Sequence, residues 1–165
     1  MAVITLTTEW RADDIYDGII KGKICSLCPG AIIIDNASGI LPFDISHAAF
    51  VIRNTYSNYP KGSVHIICVH SEPGNGARYL IVKARDQFFI GTDNGIFNLI
   101  LNSDPDEIIS IDAGGKTDEL EIFANAAAGL YSGRKPSQLG EPVSGITERM
   151  PLRATIDKDV IIGSI

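Results

Sequence analysis

Basic charge is scarce in this 165-residue sequence: 14 Lys and Arg stand against 20 Asp and Glu, a net charge of −6. Proteins that track nucleic-acid phosphates normally carry a basic face, so nucleic acid is not an expected partner. Long apolar runs are also missing. Stretches such as residues 31–34 fall far short of the roughly 18 apolar residues that cross a bilayer, and no membrane association is expected. Where a leader would place a basic segment and an apolar block, the sequence has Glu9, Asp13 and Asp14, and a cytoplasmic location is expected. Cysteine is limited to Cys25, Cys28 and Cys68, an odd count that points to reduced thiols. Cys25 and Cys28 spell CxxC, but they end a helical pattern, whereas a redox pair needs a helix N-terminus. No second Cys or His pair has zinc spacing, so both read as small, buried packing residues and no metal is expected. The sequence also lacks GxSxG, a Walker ending and GxGxxG.

What is present is ordinary globular composition, 45% hydrophobic and 21% charged, enough for one domain with its own core. Residues 3–7 are β-rich. Asp13 or Asp14 can cap a helix whose apolar face is Ile15, Ile19, Ile20, Ile24 and Leu27, stopped by Pro29-Gly30. Residues 31–34 read as a strand covered on both faces. Asp44 caps a second helix with Ile45, Ala48, Ala49, Ile52 and Tyr56 on one side. Residues 64–69 form a third strand. Residues 79–84 and 88–90 flank Arg85-Asp86-Gln87 as a hairpin. A short apolar helix follows Thr92-Asp93-Asn94-Gly95, then a strand at 107–111 and an amphipathic helix at 121–131. The remainder reads as loop until a last strand at 160–165. Strands alternating with helices predict an α/β fold, a mostly parallel central sheet sandwiched by helices, with an inserted antiparallel hairpin.

Ligands of such sheets bind outside the carboxyl ends of strands. Three segments are expected to converge there: residues 8–14, 36–44 and 71–78. The last contains Glu72-Pro73-Gly74-Asn75-Gly76-Ala77-Arg78. Glycine lets backbone approach a ligand, and a carboxylate beside a guanidinium can hold a water; a surface turn with an exposed ion pair has the same pattern. Glu9, Asp13 and Asp14 suit a ribose-hydroxyl clamp or a solvated acidic turn. His70 follows a strand, beside Glu72, where a base is useful. His47 and His65 suit structural roles.

Several motifs, in order, resemble the SAM hydroxide adenosyltransferase family, relatives of the SAM-halogenating enzymes. Leu6-Thr7-Thr8-Glu9 with Asp14, Tyr16 and Gly18 is similar to its opening LTTDFG…D.YVG. Pro42-Phe43-Asp44-Ile45 matches PPFDI, and the run from Tyr59 to His65 resembles fPkGTVhv. Glu72-Pro73-Gly74-Asn75-Gly76 sits where the family has DPGVG, with Arg78 answering the following arginine. Asp93-Asn94-Gly95, the helix from Ile122 to Ala128, and Leu139-Gly140-Glu141-Pro142 continue the agreement.

The resemblance implies a homotrimeric enzyme that hydrolyses S-adenosylmethionine (SAM), bound as substrate with no cofactor, to adenosine and methionine. It implies an N-terminal α/β domain over residues 1–158. Residues 159–165 would begin a linker toward a C-terminal β-barrel that this chain does not contain. The barrel would supply much of the ligand pocket, so the chain alone is expected to turn over little. Carried over by position, the catalytic residues are Glu72, Arg78 and Asp118, and the substrate-binding residues are Glu9, Phe43 and Asn75. Glu72 and Glu9 stand where the family has Asp, and Asp118 stands where it has His. These replacements leave a second expectation open, a non-catalytic or differently specific relative that binds a nucleoside or SAM.

Overall fold

The computed structural model describes residues 1–71, 78–101, 103–115 and 118–150 in full, and 155–157 and 160–162 by backbone alone. Glu72 and Asn75 therefore lie outside the described residues. Ile4–Thr8 (β1), Ile33–Ala37 (β2), Val64–Cys68 (β3), Tyr79–Ala84 (β4), Gln87–Thr92 (β5), Glu107–Ile111 (β6) and Gly140–Pro142 (β7) form one sheet. Its order is β2-β1-β3-β5-β4-β6-β7. Strands β2, β1, β3 and β5 are mutually parallel, while β4 is antiparallel to β5 and β6, and β7 to β6. Ile15–Leu27 (α1) and Glu119–Tyr131 (α4) cover one face; Ile45–Thr55 (α2) and Ile96–Ile100 (α3) cover the other. This is the mixed, helix-flanked sheet with a hairpin insertion that the alternation predicts.

Local chemistry sets the helix starts. Asp14 accepts the Tyr16 N–H at 3.2 Å, and Asp44 accepts the His47 N–H at 2.9 Å, so each carboxylate satisfies an otherwise orphaned donor. Asp118 does the same for Leu120 at 3.0 Å, which starts α4 at Glu119 rather than at 121. Arg85 and Asp86, at φ 51° and 62°, make the two-residue turn between β4 and β5. Positive φ at both central residues gives that turn the twist of the strands it joins. All five apolar residues expected inside α2 and its continuation are buried.

On α1 the outcome differs. Ile20 and Ile24 are fully buried, each contributing about 1.5–3 kcal/mol. Ile15, Ile19 and Leu27 are exposed, Ile15 by 71%. The helix meets the sheet and α4 along a narrower stripe than its apolar count suggests. Strand β2 is shifted to 33–37 and is half-buried, because it lies at the sheet edge. Cys25 is exposed and Cys28 half-buried at the end of α1, so neither is the buried packing residue expected; Cys68 is buried. The stretch after α4 holds β7, and Thr155–Asp157 (β8) pairs antiparallel with Val160–Ile162 (β9) in a separate two-stranded sheet.

Two features of the scaffold predict measurable effects. Gly140 lies against β6 so closely that an added Cβ would sit 1.9 Å from the Ser110 carbonyl oxygen, a backbone atom with nowhere to move. Gly140→Ala should lower the denaturant midpoint by the equivalent of about 1–3 kcal/mol and strip exchange protection from the β6–β7 amides. His65, buried on β3, is held between Thr5 Oγ1 at 2.8 Å and Gln87 Oε1 at 2.7 Å and stacks on Phe89. Burial pushes its pKa down to about 4, against the opposing effect of the hydrogen bond with Gln87. The unfolded chain binds this proton near pH 6.5 and the folded chain only near 4, so stability rises with pH between the two. Acidification from pH 6.5 to 4 should cost about 3 kcal/mol at this residue, and a His65→Asn variant should lack that part of the acid limb in urea melts.

Candidate active site at the carboxyl ends of β1 and β3

From β1 the chain passes through α1 to β2 on one side, then through α2 to β3 on the other side of β1. The loop after β1 leads into α1 on one face and the loop after β2 into α2 on the other, so the strand order reverses at β1 and a crevice is expected at its carboxyl end, flanked by the loops after β2 and β3. Crevices of this origin are where open α/β sheets bind ligands.

Backbone hydrogen bonds draw the crevice walls together. Glu9 N–H donates to the Cys68 carbonyl at 3.0 Å, tying the ends of β1 and β3. The 36–44 loop folds over the 8–14 loop through Gly39 N–H to Trp10 O at 2.7 Å and Ile40 N–H to Thr8 O at 3.1 Å. Phe43 N–H then donates to Glu9 Oε2 at 2.9 Å. Phe43 has a φ of 66°, and its 58% exposed side chain meets His70 edge-on at 5.0 Å. His70, at φ 50°, is strained in the same way. Two non-glycine residues in the left-handed region, touching across one crevice, mark a site whose surroundings impose their geometry. Asn94 Nδ2 donates to the carbonyls of Val69 and His70 at 3.3 and 3.0 Å, which holds that turn in place.

Arg78 leads into β4. Its Nε donates to Asp93 Oδ2 at 3.1 Å, its Nη2 pairs with the same oxygen, and Nη2 also reaches the Gly145 carbonyl at 3.3 Å. The Asp93 side chain is 3% exposed and takes a further hydrogen bond from Thr147 N–H at 2.7 Å. Both ends of the glycine-rich loop stand at the same strand end, since Thr92 Oγ1 donates to Ser71 O at 3.1 Å and Asp93 N–H donates to Arg78 O at 2.8 Å. Asp118, besides capping α4, is ion-paired with Lys23 of α1 at 3.2 Å.

The structure thus brings Glu9, Phe43 and His70 together and places Arg78 beside the third loop. Two participants were not singled out from sequence. Asp93 neutralises Arg78, and its signal was the Thr92-Asp93-Asn94-Gly95 run at a strand end. Glu119 opens α4, one turn before Phe123. Burial pushes the Cys68 thiol well up, and the charges of Glu119 and Glu9 add to this. A cavity of about 670 Å³ opens elsewhere, between β6, β7 and α4, lined by Asp112, Asn125, Arg134 and Glu141 among others. Arg134 is already committed there to the Gln138 carbonyl at 2.6 Å. No helix among the described residues is long and apolar enough to cross a membrane.

These features define a doubly wound α/β domain with a candidate ligand site at the point where the strand order reverses. Residues 4–140 match the model of the SAM hydroxide adenosyltransferase N-terminal domain, and the chain belongs to that family. It is 30% identical over 103 residues to an (R)-S-adenosyl-L-methionine hydrolase of Methanocaldococcus jannaschii, covering 59% of this chain and 39% of that protein. A protein of the same name from Thermus thermophilus is 27% identical over 173 residues, 94% of this chain and 67% of the relative. Among solved structures, a conserved hypothetical protein from Thermus thermophilus superposes with a TM-score of 0.79 at 26% identity. An uncharacterized conserved protein from Thermotoga maritima gives 0.86 at 23% identity, a likeness of fold. In both cases 94% of this chain is covered and 64% of the other, so the chain spans about two thirds of those proteins.

Proposed function

We propose that this domain supplies the nucleoside-binding side of an enzyme that hydrolyses SAM to adenosine and methionine. The water oxygen bonds to C5′ of the ribose, the C5′–S bond breaks with its electron pair going to sulfur, and the water proton passes to solvent. The sulfonium is already a good leaving group, so the protein's work is to hold water in line and favour its hydroxide character. In this reading Glu9 clamps the ribose hydroxyls and Phe43 packs against the ligand. Glu72 and Arg78 orient the water with Asn75 beside them, and Asp118 occupies the acid–base position at the start of α4. The rest of the pocket comes from the C-terminal barrel of a neighbouring copy in a homotrimer, with residues 159–165 leading toward that barrel. The compartment proposed is the cytoplasm.

One observation carries most of this reading: Glu9, at the strand-order reversal, is tied through Oε2 to the Phe43 N–H. A carboxylate fixed at one oxygen is oriented before the ligand arrives. The engagement of Arg78 by buried Asp93 favours a second reading, a relative that binds SAM or a nucleoside without turning it over, because a neutralised guanidinium stabilises hydroxide less. Incubation with SAM and chromatographic detection of adenosine separates the two. Adenosine formed in proportion to enzyme supports hydrolysis; SAM binding without adenosine supports the second reading; neither binding nor adenosine defeats both.

A further inference from the structure

Tyr79 opens β4, opposite Thr92, at the same end of the sheet as the crevice. Its ring packs edge-on against Phe123 of α4 at 5.3 Å. Its hydroxyl oxygen is buried and has no hydrogen-bond partner among the described residues. Buried hydroxyls are nearly always paired, so an orphan of this kind calls for a physical explanation. Glu119 stands one turn before Phe123, and residues four apart lie on the same side of a helix. The helix face that holds Tyr79 therefore also presents a carboxylate. Burial raises the Tyr79 hydroxyl pKa, and the charge of Glu119 raises it further, consistent with their proximity.

We propose that Tyr79 and Glu119 form a ligand subsite beside the crevice that takes a hydrogen-bond-donating group, a hydroxyl or an ammonium, between the phenol oxygen and the carboxylate. A phenol oxygen accepts one hydrogen bond and an ionised carboxylate accepts several, so a group with two or more N–H or O–H donors, or a hydroxyl shared between them, bonds to both at once and supplies the phenol's missing partner. The subsite deepens the nucleoside reading of the crevice and rests on it for the choice of probes. A SAM molecule carries both chemistries, ribose hydroxyls and an α-ammonium, and adenosine and methionine separate them.

The test uses the protein that contains this domain and its Tyr79→Phe and Glu119→Gln variants, with melting curves and titration calorimetry against SAM, adenosine and methionine. Removing an orphaned buried hydroxyl relieves the free protein, so Tyr79→Phe should melt about 2–4 °C higher without ligand. Both variants should bind SAM about tenfold or more weakly, since each loses a charge-assisted or buried hydrogen bond. The same loss with adenosine assigns the subsite to a hydroxyl, and with methionine to the ammonium. An unchanged or lower melting temperature for Tyr79→Phe would show that the hydroxyl has a structural partner and would overturn the proposal. SAM bound equally by all three proteins also overturns it, while leaving the SAM reading intact. If SAM does not bind but adenosine or methionine does, with the tenfold loss in both variants, the SAM reading falls and the subsite stands. If none of the three probes binds the protein that contains this domain, both fall.

Discussion

Glu9→Ala is expected to weaken SAM binding by about 10²–10⁴-fold, the largest single effect on affinity that the crevice predicts. In the proposed clamp one ionised carboxylate would accept two hydroxyl hydrogen bonds, and hydrogen bonds to charged groups contribute about 1.5–3 kcal/mol each. Removing the side chain also releases the Phe43 N–H, now held at 2.9 Å, and with it the left-handed turn that carries the Phe43 ring. Glu9→Gln separates these contributions, because an amide oxygen can keep Phe43 in place while the charge is gone. Its loss of affinity should be smaller than that of alanine, and its far-ultraviolet spectrum and melting temperature should match the parent. Calorimetric titration of SAM and adenosine decides the matter. Equal affinity in Glu9→Ala and the parent would remove Glu9 from the ligand site.

Asp118→His should raise adenosine release by about 10²–10⁴-fold in the protein that contains this domain, the range over which a positioned acid or base typically acts. The substitution has a structural cost. It removes the cap on Leu120, worth about 1 kcal/mol, and the ion pair with Lys23 at 3.2 Å. That pair is about half exposed and adds little, so the variant should fold with a modestly lower melting temperature. Glu72→Ala should abolish adenosine formation in both the parent and the histidine form. If the parent binds SAM and makes no adenosine while Asp118→His makes it, the histidine replacement is what silences the site. If Asp118→His binds SAM tightly and stays inactive, the proton-handling role at this position is refuted and the binding-only reading stands.

Much of the architecture follows from short-range rules that a sequence carries openly. Asp14 and Asp44 cap because a carboxylate just ahead of an apolar stripe finds the nearest free N–H, whatever the rest of the chain does. Arg85 and Asp86 turn the hairpin because strands of matched length leave two residues to reverse direction. Residues 8–14 and 36–44 meet as expected, because alternation of strands and helices commits loops to one end of the sheet. Some of the family motifs were legible for a related reason: Leu6-Thr7-Thr8-Glu9 and Pro42-Phe43-Asp44-Ile45 run into those loops, while others, such as the helix from Ile122 to Ala128, lie in the packed core.

Other features depended on which surfaces come into contact. Whether an apolar residue on α1 is covered is decided by where α4 lies, and that leaves Ile15, Ile19 and Leu27 outside. The state of Arg78 is set by Asp93, fifteen residues on, and by Thr147, which reaches Asp93 across 54 positions. Glu119 reads as one more acid in a charged helix start, and only the packing of Phe123 on Tyr79 sets that face of α4 against β4. The sequence by itself determined the fold class, the helix caps and the end of the sheet at which the loops gather, because local hydrogen bonding and apolar periodicity need no distant partner. Only the tertiary structure decided which charges are neutralised, which apolar faces stay open and which hydroxyl is left without a partner, because those depend on groups far apart in the chain arriving at one place.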